Sequence, residues 1–199
     1  MVDFIIRRGR DKAKVNLFPC ASITKQTNGK QMTEFGLLKA RGIIGFSDVN
    51  KTIQNTELMS RVMNYASDLD VLIMQHAEDY ELSKNSCINE GEIATRLGLQ
   101  GVSDIAEKII IERDLSLLAK FPCRYHINQI SSQKSLDVIK KNKSNGISFT
   151  TGVSINNLSL NENDIGEFRT FLKLSPPLRD EKNRLSLVEG LKNELIDVI

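Results

Sequence analysis

The chain has 199 residues, enough for one domain with a buried core, and its 40% hydrophobic content is ordinary for a globular protein. Its 27 Lys and Arg stand against 25 Asp and Glu, so it lacks the basic excess of a nucleic-acid binder. No apolar run approaches the roughly 20 residues needed to span a bilayer, which excludes a membrane-spanning helix.

The first residues, MVDFIIRRGR, place an apolar part before a basic part, the reverse of a secretory signal. Phe4 to Lys12 reads as the tail of a helix, and the basic stretch Arg7 to Lys14, interrupted by Asp11, as its solvated end. Val15, Leu17 and Phe18 read as a short strand stopped by Pro19. Thr24 to Gly29 is turn-rich. Thr33 can cap a helix carrying Phe35, Leu37 and Leu38, ended by Gly42. Ile43, Ile44 and Phe46 give the next strand, with Ser47-Asp48 at its end. Leu58, Met59, Val62, Met63, Ala66 and Leu69 recur at helical spacing and make one apolar stripe.

Val71 to Met74 then runs without interruption into Gln75, His76, Glu78 and Asp79. A continuous apolar run suits a strand buried on both faces. The polar cluster falls where that strand ends, and in α/β barrels this end faces the active site. His76 is one of two histidines in the chain. Taken alone, it reads as a hydrogen-bonded structural group or as a metal ligand. Glu78 and Asp79 can orient such a ligand or cap the polar loop behind it.

Glu81 to Gly91 is polar and leads to a short helix around Ile93 to Leu97 and a turn at Gly98 to Gly101. Glu90 reads as a helix start. Ser103 can cap a helix lined by Ile105, Ala106, Ile109, Ile110 and Leu117. Cys123 to Ile127 is a strand. Ser132 starts a helix with Leu136 and Ile139, closed near Gly146, and Ile147 to Thr150 is the next strand. Ser175-Pro176-Pro177-Leu178-Arg179 is a rigid loop. Arg179 can clamp a carboxylate in bidentate fashion or pair with a nearby Asp or Glu. Leu187, Val188, Leu191 and Leu195 form the last helical stripe, and Ile196 to Ile199 one more strand. The Met and Leu stripes are core, not a cofactor box. Cys20, Cys87 and Cys123 are odd in number and have no close pair, which argues against a disulfide framework or a structural zinc site. A reducing cytoplasm is the natural compartment.

The alternation of strand and helix predicts a parallel sheet with crossover helices. Because the chain stops inside an apolar strand, residues 1–199 are expected to form one incomplete barrel, cut at one end or both. Its edge strands, Val15 to Phe18 and Ile196 to Ile199, should make it associate.

A set of motifs then carries a resemblance. These are Ala40-Arg41-Gly42-Ile43-Ile44-Gly45-Phe46-Ser47-Asp48, the run QHAEDYEL from Gln75, and Ile88-Asn89-Glu90-Gly91-Glu92. They continue with ATRLGLQG from Ala94, Ala106-Glu107 and Glu112-Arg113-Asp114. Arg124-Tyr125-His126, Gln129-Ile130-Ser131-Ser132 and Ser175 to Arg179 complete the set. In order and spacing the chain resembles the type I dihydroorotases of the amidohydrolase superfamily, in an alphaproteobacterial-like branch.

The resemblance implies a partial (β/α)8 TIM barrel with its early strands missing. It implies reversible closure of N-carbamoyl-L-aspartate to dihydroorotate, a step of pyrimidine biosynthesis, and a zinc cofactor. Such chemistry needs a metal-bound hydroxide, a Lewis acid on the ring carbonyl and a carboxylate that shuttles the proton. His76 matches a family metal ligand. Val49 stands where the family has a bridging Asp, and Gln129 where it has a ligating His. Neither valine nor a glutamine amide replaces those donors well, so at most one zinc is expected. Asp48 would have to shift to take over bridging. His126, three residues before Gln129, lies at an odd offset and so on the opposite face of an ideal strand. Ser175 stands at the family's substrate-binding Asn, and its hydroxyl can still hydrogen-bond a carboxylate. Ile155-Asn156 replaces the usual Pro-His. The family's His-x-His and Asp-His-Ala-Pro-His runs do not occur, so the chain is expected to be inactive alone. The second implication is a non-catalytic subunit scaffolding aspartate transcarbamoylase. The partners expected are therefore the small-molecule substrate, aspartate transcarbamoylase or a second copy, with no nucleic acid and no membrane.

Overall fold

The computed structural model describes residues 1–199. Five short strands form one parallel sheet: β1 (Cys20–Ala21), β2 (Gly45–Phe46), β3 (Leu72–His76), β6 (Arg124–Asn128) and β7 (Thr150–Thr151). They lie in the order β1-β2-β3-β6-β7, so each strand pairs with the one before it along the chain. Val198 adds one parallel bridge to Gly152 on the far edge. This is the singly wound order of an α/β barrel wall, not the reversing order of a doubly wound sheet. The barrel expectation therefore holds.

Helix α1 (Val2–Lys12) precedes the sheet, α2 (Phe35–Ala40) links β1 to β2, and α3 (Thr56–Leu69) links β2 to β3. The Asn55 side chain caps α3 by accepting from Leu58 N at 2.8 Å. The predicted stripe Leu58, Met59, Val62, Met63 and Ala66 is buried. Between β3 and β6 the chain leaves the sheet for α4 (Tyr80–Ser83), β4 (Ile88–Asn89), α5 (Glu92–Leu97), β5 (Gly101–Val102) and α6 (Asp104–Lys120). Strands β4 and β5 form a separate parallel pair. Helices α7 (Gln133–Ser144), α8 (Ile155–Ser159) and α9 (Glu181–Lys192) complete the fold.

The main core gathers α3, α6, α7 and the helix-facing sheet residues Ile73, Tyr125 and Ile127. A second cluster of Ile88, Ile93, Ala94, Ile165, Leu172 and Leu178 packs under the β4–β5 pair. The alternate sheet residues Leu72, Met74, Arg124, His126 and Thr150 are less buried than their neighbours. They form the inner surface of the barrel wall, because successive strand residues face opposite sides.

Several expectations need correction. Val15, Leu17 and Phe18 are exposed and form no strand. The ladder begins at Pro19, which has no N–H but accepts from Ile44 N at 3.1 Å. Ile196 to Ile199 supplies a single bridge rather than a strand, and Ile196 is buried in the core. Of Ile147 to Thr150 only Thr150 is in a strand, with Thr151 beyond it. The polar stretch Glu81 to Gly91 holds β4 and most of α4. Glu90 starts no helix, since Gly91 is the N-cap of α5. On α6, Ile105 and Ile109 are exposed, while Ile110, Ile111, Leu115 and Leu118 are buried. That helix packs against both α3 and α7, so its apolar surface is wider than one stripe. Ser103 occupies its N-cap without a side-chain cap bond, whereas Ser132 caps α7 by accepting from Ser135 N.

Candidate functional site at the carboxyl ends of the strands

His76 is the last residue of β3 and is 3% exposed. Its position follows from the apolar run before it: Ile73 is packed into the core, which puts the polar QHAED segment at the strand's carboxyl end. The loop after β2 holds that segment. Thr52 Oγ1 donates to the His76 carbonyl at 2.6 Å and accepts from Glu78 N at 3.0 Å. Gln54 Nε2 donates to the Glu78 carbonyl at 2.9 Å.

The His76 ring closes a triangle with Glu78 and Ser175. Nε2 lies 3.1 Å from Glu78 Oε2 and 3.2 Å from Ser175 Oγ, and the Ser175 hydroxyl reaches Glu78 Oε2 at 3.2 Å. An ionised carboxylate can only accept, so the shared proton sits on Nε2. Burial pushes the Glu78 pKa up, but the hydrogen bond and charge of His76, with the Ser83 and Ser175 hydroxyls, outweigh it. The pKa ends below the usual carboxylate value. Asp79 does the other task open to this pair: it caps α4 by accepting from Leu82 N at 3.1 Å.

Ser175 comes from the diproline loop, 99 residues along the chain from His76, so the two expected site residues do meet. Val49 and Gln129 follow β2 and β6 and are exposed. Both have left-handed backbones, with φ of +63° and +46°. Gln129 therefore lies in a turn past the end of β6, where the odd-offset argument about His126 has no strand to act on. His126 is one register level below Asn128, the residue paired with His76, and its Nδ1 is 2.7 Å from Thr150 Oγ1. Asp48 is not free to take over bridging. Its buried carboxylate accepts from Thr24 N at 2.9 Å and from the Thr24 hydroxyl.

These donors do not fit a zinc centre by themselves. No three His, Cys, Asp or Glu side chains gather into a possible metal site. A zinc ligand must offer a lone pair, and Nε2 of His76 spends its position on a proton shared with Glu78 and Ser175. Beside the triangle lies a polar cavity of about 370 Å³, lined in part by Asp48, Lys51, Thr52, Gln54, Glu78 and Tyr80. It can take a small polar molecule at the strand mouth.

Sequence reading missed what the other motifs do. Arg179 is 3% exposed, and its guanidinium is taken up by protein groups. Its Nη1 donates to Asn89 Oδ1 at 2.9 Å and to the Val102 carbonyl at 2.7 Å, and its Nε to Ser131 Oγ at 3.1 Å. Glu107, also 3% exposed, accepts from Ser131 N at 3.0 Å and Ser132 N at 3.2 Å. Asn89 Nδ2 donates in turn to Glu162 Oε2 at 2.7 Å. Thus four of the motif stretches meet in one buried polar network.

A family model described as dihydro-orotase-like matches residues 1–135. The dihydroorotases of Ehrlichia canis (strain Jake) and Anaplasma phagocytophilum (strain HZ) are 43% and 38% identical over 197 residues, 98% of this chain and 44% of each relative. That of Desulforapulum autotrophicum is 32% identical over 98% of this chain and 46% of the relative. The chain thus spans somewhat under half the length of these curated relatives. Among solved structures, L-hydantoinase (dihydropyrimidinase) from Arthrobacter aurescens superposes with a TM-score of 0.75 at 18% identity, over 98% of this chain and 46% of that one. D-hydantoinase (dihydropyrimidinase) from Thermus sp. gives 0.71 at 18% identity, over 100% and 46%. These two likenesses show the fold. No helix of the chain is long and apolar enough to cross a membrane.

Proposed function

This chain belongs to the dihydro-orotase-like family, and from that premise we propose that it forms the site-bearing part of a cyclic amide hydrolase. The reaction is the reversible closure of N-carbamoyl-L-aspartate to dihydroorotate, in cytoplasmic pyrimidine biosynthesis. The observation that carries this reading is the meeting of His76, Glu78 and Ser175 at the carboxyl mouth of the strands. Barrel enzymes place their chemistry at that end. Ser175, exposed and bonded to the cavity-lining Glu78, is the group we assign to hold a substrate carboxylate.

A zinc held at this mouth would supply Lewis-acid chemistry to the ring carbonyl and activate water. We assign at most one zinc to the assembled barrel, with His76 as a ligand, since Val49 has no side-chain donor and Gln129 only a weak amide oxygen. Binding at Nε2 requires release of both Glu78 and Ser175. The chain's own residues would then orient substrate through Ser175 and seat the β3 loop through Thr52 and Gln54. Alone, the chain is inactive in this reading, because it gathers no three metal-binding side chains, and an incomplete catalytic unit loses most of its effect.

A second reading has its own observation. The buried Arg179–Ser131–Glu107 network is complete, while both replaced ligand positions are exposed turn residues. That combination favours a barrel retained for its shape: a non-catalytic subunit docking aspartate transcarbamoylase or a second copy. One experiment separates the two. The zinc-treated chain is assayed for opening of dihydroorotate, alone and after mixing with the portion of Ehrlichia canis dihydroorotase that this chain does not match. Hydrolysis in the mixture only supports the hydrolase. Hydrolysis by the chain alone sinks the inactivity claim, and complex formation without hydrolysis supports the scaffold.

A further inference from the structure

We infer that Arg179 and Glu107 are positioning residues, which through Ser131 hold the Ser175 loop and the turn after β6 in fixed relation to His76. The inference rests on the reading of this strand mouth as the working site.

Three segments carry the residues at that mouth: the QHAED run after β3, the Gln129 turn after β6, and the loop bearing Ser175. The first and third meet at the His76–Glu78–Ser175 triangle, although they are far apart in sequence. All three are tied to the first turn of α6 or to the Arg179 guanidinium, which bonds the Val102 carbonyl just before that helix. Asp79 N donates to the Ala106 carbonyl at 3.0 Å, which anchors the QHAED run beside Glu107. Glu107 receives the N–H groups of Ser131 and Ser132, which fixes the chain two residues past Gln129. The Ser131 hydroxyl donates to Glu107 Oε2 and accepts from Arg179 Nε, so one hydroxyl joins carboxylate to guanidinium.

Arg179 lies four residues from Ser175, and the segment between them is stiff. Pro176, Pro177 and Leu178 are buried, and the ring of each proline fixes its φ. The Pro177 carbonyl also accepts from Asn157 Nδ2 at 3.0 Å, and the Arg179 carbonyl from Glu162 N at 2.9 Å. A displacement at Arg179 is therefore carried to Ser175 rather than absorbed. The network spends two buried charged side chains on this task. Removing one partner leaves the other charge without its bonds, so the local arrangement is sharply defined.

Only two histidines are present, and their reactivity toward diethyl pyrocarbonate, read by mass spectrometry, reports the effect with an internal control. His76 is protected by burial and by its bonds to Glu78 and Ser175. His126 is bonded to Thr150 and makes no hydrogen bond to the network. Ser131→Ala removes only the bridging hydroxyl, and Arg179→Met removes the donors while keeping an aliphatic chain. In both, carbethoxylation of His76 should accelerate on the order of threefold or more through local opening, with His126 unchanged. If Arg179→Met does not fold, Ser131→Ala decides. Unchanged His76 reactivity in a folded variant, or equal acceleration at both histidines, overturns the inference. The measurement needs neither metal nor substrate, so a failed hydrolysis assay leaves it standing.

Discussion

Ser175 Oγ lies 3.2 Å from His76 Nε2, and both also reach the same oxygen of Glu78. The nitrogen that a metal would use is therefore already engaged. Zinc competes with two hydrogen bonds, and the chain should hold it weakly.

Zinc content after equilibrium dialysis tests this. His76→Ala should lower the zinc content further, and an unchanged value would mean that His76 only hydrogen-bonds. Val49→Asp with Gln129→His restores two donors and should raise the content. If the double substitution adds no metal, the assignment of those two positions fails.

Val49 is β-branched, exposed and left-handed at φ +63°. Such a residue pays for the closeness of its Cβ to the following carbonyl. Asn tolerates this backbone, so Val49→Asn should stabilise the chain by about 1 kcal/mol, read from the urea midpoint at constant m-value.

Asp114 is fully buried and accepts from Gln75 Nε2 at 2.8 Å, Tyr125 Oη at 2.7 Å and Arg113 at 2.6 and 2.8 Å. Asp114→Ala strands those donors and should cost about 3–5 kcal/mol. Urea unfolding would contradict this with a loss under about 1 kcal/mol.

Asp197 ties the last residues to the sheet through Thr151 N at 2.8 Å and to α7 through Lys143 Nζ at 3.0 Å. Burial pushes its pKa up, but these partners outweigh it and hold it below the usual value. A depressed folded pKa gives stability that is complete above the unfolded value, about 3.9, and lost as pH falls through the folded one. Acid below about pH 4 should therefore loosen the Val198–Gly152 bridge. Asp197→Asn should flatten that pH dependence, as followed by hydrogen exchange at Val153 N, which donates to the Val198 carbonyl.

The open edges of the sheet, β1 and Val198, together with exposed Phe4, Val15, Leu17 and Phe18, make association the expected state of the isolated chain. A monodisperse monomer by light scattering with one cooperative melt would contradict this.

The strand Leu72–His76 was legible because an uninterrupted apolar run ended in a polar cluster, and the α3 stripe because its period was regular. The strand at Cys20–Ala21 was not, since two residues carry no period and apolar Val15 to Phe18 mimicked one beside it. His76 could be singled out by its place after a strand. Its contact with Ser175 could not, because no local pattern encodes a pairing across 99 residues. For the same reason the partners of Arg179 were invisible, and a buried guanidinium reads in sequence like any surface arginine.

The ladder between β3 and β6 has five residue pairs, whereas every other strand pairing has two. Yet residues 77–123 intervene between those two strands. The frame of the whole wall is thus fixed by its most distant neighbours: a slip of one place there would turn Ile73, Tyr125 and Ile127 out of the core. Lengthening the excursion is inexpensive by comparison, since each doubling of a loop adds only about 0.6 kcal/mol of closure entropy. The exposed Lys84–Asn85 turn is accordingly a natural point at which to splice in a fluorophore-bearing or affinity segment without disturbing the wall.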